Sequence, residues 1–278
     1  MMNEKKRFQR RVFRSFFLSS ILFTSFISPA FPFDHSPWAA LLRAHVENGF
    51  ADYAGFLKDK PALDDYLKRV GDLSVNEFAD YSREDRMALW INAYNASVIR
   101  RILEFYPIDS IQRIPDFWNM KTVQVAGMRL SLSEIRDKVF RAGFRDERAT
   151  LALVSGTKSS GPLRNEAYEG PQLLDQLRDQ MNFFLSDERF NRIQAKKKKL
   201  FLSPLFQELR ADFILGYGSS ETDSRFSPEE LAILSFIRIH LSDPKVKEWI
   251  TNREYKLRYL PVNGSLNQSV KEKDKGKT

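Results

Sequence analysis

"SREDRMALWINAYNASVIRRILEFYP", residues 82–107, decides the fold class. Met87, Trp90, Ile91, Tyr94, Val98, Ile102 and Phe105 recur at spacings of three and four, the period of a helix with one apolar face. Ser82 with Asp85 resembles a capping box in which aspartate replaces the usual Glu or Gln, and Pro107 sets the end. Asn92 and Asn95 sit at i and i+3, one step round from the apolar face, so they lie side by side at its edge. Asparagine competes for backbone hydrogen bonds inside a helix, so two of them beside an aromatic core imply a task. Satisfying the buried backbone of a neighbouring loop ranks ahead of direct ligand contact.

Upstream, Ser36-Pro37 reads as a helix N-cap with proline at the first helical position, and a further helix covers residues 62–70. Downstream the period changes. "KTVQVAGMRLS" (121–131) alternates around Ala126-Gly127 as a short hairpin, and Ser131 or Ser133 caps a helix through Phe140. An apolar run, Leu151 to Val154, predicts a strand. Helices follow over 171–185, 227–242 and 244–250, with strands at 199–203 and 255–262. The sum is a helix-rich α+β single domain with a small sheet of short strands, spanning residues 36–267.

The strand at 151–154 enters a small-residue turn, "SGTKSSGP" (155–162), of the kind that holds a reactive group at a sheet's end. Ser155 and Ser160 are weak nucleophile candidates, with Lys158 or Asp137 as their base, since a serine needs a base within hydrogen-bond reach. Lysine in a Ser/Gly turn is far more often a solvated side chain. The three histidines, His35, His45 and His240, carry no spacing that aims them at this loop. Arg164, Asn165 and Tyr168 follow it and, with Asn92 and Asn95, form the candidate ligand-binding set. The chain has no cysteine, so thiol chemistry and thiolate metal sites are excluded. Other metal-ligand spacing and phosphate-cradling glycine loops are absent, so no metal and no cofactor is expected.

Net charge is +8, yet residues 1–14 hold six basic residues and one acid, and residues 268–278 hold four lysines and two acids. The folded part is therefore close to neutral, which argues against a nucleic-acid partner, because phosphate binding needs concentrated Lys and Arg. Residues 15–33 carry no charge, and Ser28-Pro29-Ala30 supplies small residues at signal-peptidase spacing. Residues 1–30 read as a signal peptide, giving an exported, periplasmic or secreted protein. Membrane contact is expected only through the leader, were it retained as an anchor. Residues 268–278 hold too few apolar residues to fold and read as a disordered basic tail.

The order of "LWINAYNASVIRRILEFYPIDSI", "VAGMRLSLSEIRDKVFR", "DERATLALVSGTKSSGPLRNEAY", "LFLSPLFQELRADF" and "YLPVNGSLN" resembles the successive blocks of the domain of unknown function 547 family, from about Trp38 to Asn267. "VENGFADYAGF" is similar to its entry segment. The resemblance implies an α+β domain found in bacteria and plants, with no established activity. It also implies cysteines where this chain has Ser155 and Ser160, a Glu-His pair at Arg136 and Asp137, and a Tyr-Asp-Trp at Val262-Asn263-Gly264. Cysteine, histidine and glutamate together would resemble a thiol-type catalytic set. This chain has none of the three at those places, and whether it is an enzyme stays open. The leading expectation is a bacterial, exported, non-catalytic member that binds a small molecule or an envelope protein near Ser155–Ser160. A divergent hydrolase or acyl transferase using Ser155 or Ser160 is the alternative, and a purely structural envelope protein is the second.

Overall fold

The computed structural model describes residues 32–269 apart from 219 and 221. The expected leader (1–30) and the tail from residue 270 lie outside the described residues. Pro37 stands in the first turn of α1 (Ser36–His45), but His35 holds the cap position and the Asp34 carboxylate accepts from the Ser36 N–H at 3.0 Å. The start therefore falls one residue earlier than the sequence suggests. The strands β1 (Val46–Glu47) and β2 (Phe50–Ala51) form an antiparallel hairpin closed by Asn48 and Gly49, both at positive φ. Such mirror-image turns favour Asn-Gly, a signal that the sequence carries and the reading above does not use.

The helices α2 (Tyr53–Lys58), α3 (Lys60–Asp72) and α4 (Val75–Asp80) lead to α5 (Arg83–Leu103), which Ser82 caps by accepting from the Asp85 N–H. Every residue from Met87 to Ile99 is buried, so α5 is enclosed on all sides rather than on one face. Phe105 lies past its end, 37% exposed beneath the Arg101 guanidinium, and is not part of the core face. Ala126-Gly127 closes the hairpin β3 (Val123–Val125) and β4 (Met128–Leu130), as the alternation predicts.

A capping box of Ser131 and Glu134 opens α6 (Leu132–Glu134), which continues as wide π-type turns over Ile135–Phe144. The Arg145 N–H closes it on the Phe140 carbonyl, five residues back, at 2.8 Å. The expected strand at 151–154 is absent. Asp146 caps α7 (Glu147–Leu151) through the Arg148 N–H, so Leu151 ends a helix and Leu153-Val154 runs outside any ladder.

The remainder comprises α8 (Leu173–Ser186), β5 (Arg192–Gln194), β6 (Lys199–Leu202), α9 (Pro204–Glu208), α10 (Arg210–Tyr217), α11 (Pro228–His240), α12 (Pro244–Asn252) and β7 (Lys256–Tyr259). In the last sheet β6 pairs antiparallel with β5 and parallel with β7. The architecture is a helix-rich α+β domain with two hairpins and one three-stranded sheet. One apolar cluster surrounds α5, and a second, built on Phe184, Phe206, Phe213 and Phe236, fills the C-terminal part. Gln268 and Ser269, assigned to the tail by the sequence, pair with Ala51: Gln268 through a parallel bridge, Ser269 through its N–H to the Ala51 carbonyl.

Candidate functional site

The segment 155–169 has no ladder of its own, so its backbone must find partners elsewhere. Four buried amides supply several of them, together with those of the adjoining Ala152 and Val154. The Asn95 side chain donates to the Ala152 carbonyl at 3.1 Å and accepts from the Val154 N–H at 3.0 Å. Asn92 donates to the Tyr168 carbonyl at 2.7 Å and accepts from its N–H at 3.0 Å. From α8, Gln176 accepts from the Glu169 N–H and donates to the Ala167 carbonyl, while Gln180 donates to the Pro162 carbonyl. Gln176 and Gln180 stand at i and i+4 beside Leu173 and Leu177, a spacing that marks a shared face but not its partner.

The terminal "SLN" closes the arrangement. Thr157 bridges to Leu266, the Lys158 N–H donates to the Ser265 carbonyl, and the Asn267 N–H donates to the Gly156 carbonyl. The buried Tyr53 hydroxyl donates to the Asn267 side-chain carbonyl at 2.6 Å. Gly156 has φ +74, and a Cβ there would lie 2.5 Å from the Ile102 methyl, so only glycine fits.

This frame walls a cavity of about 750 Å³ lined by Trp118, Arg136, Ser155, Ser160, Glu208 and Gly264, among others. Serines at the expected cysteine places, an arginine at the glutamate place, and Val262 and Gly264 at the Tyr and Trp places all reach it. The convergence joins segments far apart in the chain. Arg136 donates to Glu208 at 2.7 Å and lies 5.9 Å from the Trp118 ring, while its buried Nε has no hydrogen-bond partner. Glu208 stands 72 positions from Arg136, and no sequence signal links them.

The serine hydroxyls are engaged locally. Ser155 shares a hydrogen bond with the Thr157 hydroxyl at 2.9 Å, and Ser160 donates to the Gly161 carbonyl at 2.9 Å. Lys158 is exposed and bonds to neither serine; Asp137 pairs with Arg141 at 2.7 Å and does not line the cavity. The histidines lie elsewhere. His35 bonds to Tyr66, His45 to Asp59 and His240 to Tyr217. Burial lowers the His240 pKa, with nearby Arg148 acting in the same direction.

Arg164 pairs with Glu166 at 2.8 Å, Asn165 is exposed, and Tyr168 is buried with its hydroxyl unpartnered and its pKa raised by burial. None of Asn92, Asn95, Arg164, Asn165 and Tyr168 lines this cavity. Among the described residues no group of three or more His, Asp or Glu is placed to hold a metal ion, and no helix is long and apolar enough to cross a membrane.

Residues 78–185 match the model of the family described as Protein of unknown function, DUF547, so the resemblance read from the sequence is borne out over that stretch. The match takes in α5, Arg136 and the loop through Tyr168, and stops short of Glu208 and of Val262–Gly264. No curated protein and no solved structure matches the chain.

Proposed function

We propose that this DUF547 family member is an exported protein that binds a small molecule or an envelope partner in the cavity behind Ser155 and Ser160, without reacting with it. One observation carries the reading. All the positions at which the chain departs from the thiol-type set, bar Asp137 and Asn263, line one cavity, and neither serine there has a base in hydrogen-bond reach. Such a volume lies in the range that small ligands occupy. Trp118 offers a flat apolar face, the Arg136–Glu208 pair and Ser155 offer polar contacts, and the four amides hold the wall rigid without touching the occupant. Preorganisation of this kind lowers the cost of binding. Export rests on the leader alone.

Treatment with a serine-reactive fluorophosphonate followed by peptide mass analysis tests the non-catalytic part. The expected result is no adduct at Ser155 or Ser160. An adduct at either, removed by Ser155→Ala or Ser160→Ala with the melting temperature held, would replace this reading with the hydrolase.

A further inference from the structure

The loop 157–162 has a second face. Thr157, Ser159, Ser160 and Pro204 line the first cavity and also another of about 790 Å³, whose remaining walls are the β1–β2 hairpin, residues 189–192 and the segment 260–263. Between the two, the Asn263 N–H donates to the Ser159 hydroxyl at 2.6 Å. Val262 and Gly264 line one cavity, Pro261 and Asn263 the other.

The charges of this second cavity are unbalanced. Arg189 is already engaged: it is paired with Asp187, donates to the Asn48 carbonyl at 2.9 Å, and lies 4.6 Å from the centre of the Phe50 ring. Lys158 and Arg192 also line the cavity, both are exposed, and among the described residues neither meets a carboxylate. Among the described residues Glu47 is the only acid in the lining. Set against one of the two free cations, it leaves about one positive charge uncompensated, and field lines in a walled cleft concentrate such an excess. Apolar surface lies beside it on Phe50, Phe190, Leu260 and Pro261. The walls are fixed. Gly49 packs so closely on the loop that a Cβ would lie 2.7 Å from Pro162, and its carbonyl accepts from the Leu163 N–H and the Asn267 side chain.

We infer that this second cavity binds a monoanionic amphiphile, a carboxylate on an aliphatic chain, with Lys158 and Arg192 at the carboxylate and Phe50, Leu260 and Pro261 along the chain. A single excess charge suits a monoanion better than a phosphate dianion, whose second charge would stay uncompensated on leaving water. Each methylene laid on the apolar wall adds to affinity without direction. Lys158, Arg192, Phe50, Leu260 and Pro261 line the second cavity and not the first, so the inference does not depend on that reading although the two cavities share part of their wall.

Calorimetric titration of the isolated chain with decanoate, decanol and decyl phosphate, each below its aggregation threshold and at about pH 8, where the phosphate is largely a dianion, tests it. Decanoate is expected to bind one to one, about tenfold or more tighter than decanol, and Lys158→Gln with Arg192→Gln removes that preference. Both side chains are exposed, so the double variant keeps its fold, which its melting curve checks. Arg136→Gln, in the first cavity, leaves decanoate binding unchanged. Equal binding of decanol, tighter binding of decyl phosphate, or a loss of decanoate binding in Arg136→Gln instead of the double variant would overturn the inference.

Discussion

His35 is 3% exposed and shares a 2.9 Å hydrogen bond with the Tyr66 hydroxyl. Burial pushes its pKa down to about 4, with Asp34 opposing and Arg69 reinforcing the shift. The folded state therefore holds the ring neutral, while the unfolded chain protonates it near the ordinary value of about 6.5. Its contribution is complete above that value and is lost as the pH falls towards 4, amounting to roughly 3 kcal/mol across the window. His35→Gln retains a partner for Tyr66 and removes the titration. Denaturation free energies of the two proteins between about pH 7 and 4 should converge on acidification by this amount; parallel curves would contradict it. At this scale the sequence is only partly legible. A histidine next to an uncharged leader gives no sign of burial, because its cover, Tyr66, lies 31 positions away. The Asn92 and Asn95 amides are legible as hydrogen-bonding groups, since such residues are costly in a helix interior, but their partners 57 to 76 positions away are not.

Among the elements, α5 is read correctly in kind, capped by Ser82, and incorrectly in its surroundings. Spacing of the largest side chains marks one face, whereas Ala88, Ala93, Ala96 and Ser97 on the other faces are buried too. Small residues let neighbouring segments approach, and a periodicity argument weighted by large side chains overlooks them. The strand expected at 151–154 fails for a related reason. A short apolar run fits a strand or a buried helix end equally well, and the helix that Asp146 caps ends at Leu151, leaving 153–154 without regular structure. What a ladder would have supplied to Ala152 and Val154 comes from Asn95. Asn95→Ala leaves one buried carbonyl and one buried N–H unpaired, and should cost roughly 2–4 kcal/mol in denaturant unfolding with the slope unchanged. A loss below about 0.5 kcal/mol would show that the loop does not depend on this amide. The continuation of α6 past Phe140 is not legible either, because wide turns break the period that sequence reading relies on.

Over the whole molecule, α8 contributes Leu173 and Leu177 to one apolar cluster and Met181 and Phe184 to the other, and the loop that precedes it carries almost no regular structure of its own. It is fastened by amides from α5 and α8 and by residues 265–267 near the far end of the chain. That explains why "GPLRNEAY" and "SLN" occur in one chain with an asparagine-bearing helix, a link the family resemblance contains and local pattern does not. Of the positions at which the resemblance implies other residues, Arg136, Ser155, Ser160, Val262 and Gly264 line the first cavity, while Asp137 and Asn263 do not. Gly264 lines the cavity at the place where the resemblance implies tryptophan. A Cβ there meets only ordinary contacts, the nearest at 3.4 Å from the Gln112 side chain, so the backbone accepts a side chain at this position, and Gly264→Trp is the variant designed to fill the cavity.

The most direct measurement is therefore thermal unfolding of the natural chain and Gly264→Trp against size-fractionated small molecules and proteins from the host envelope. A binder at roughly a hundred times its Kd raises the melting temperature by about 5 °C or more, because it stabilises only the folded state. At least one fraction is expected to stabilise the natural chain and leave Gly264→Trp unmoved. No stabilising fraction, or equal stabilisation of both proteins, would contradict a binding function for the cavity behind Ser155 and Ser160.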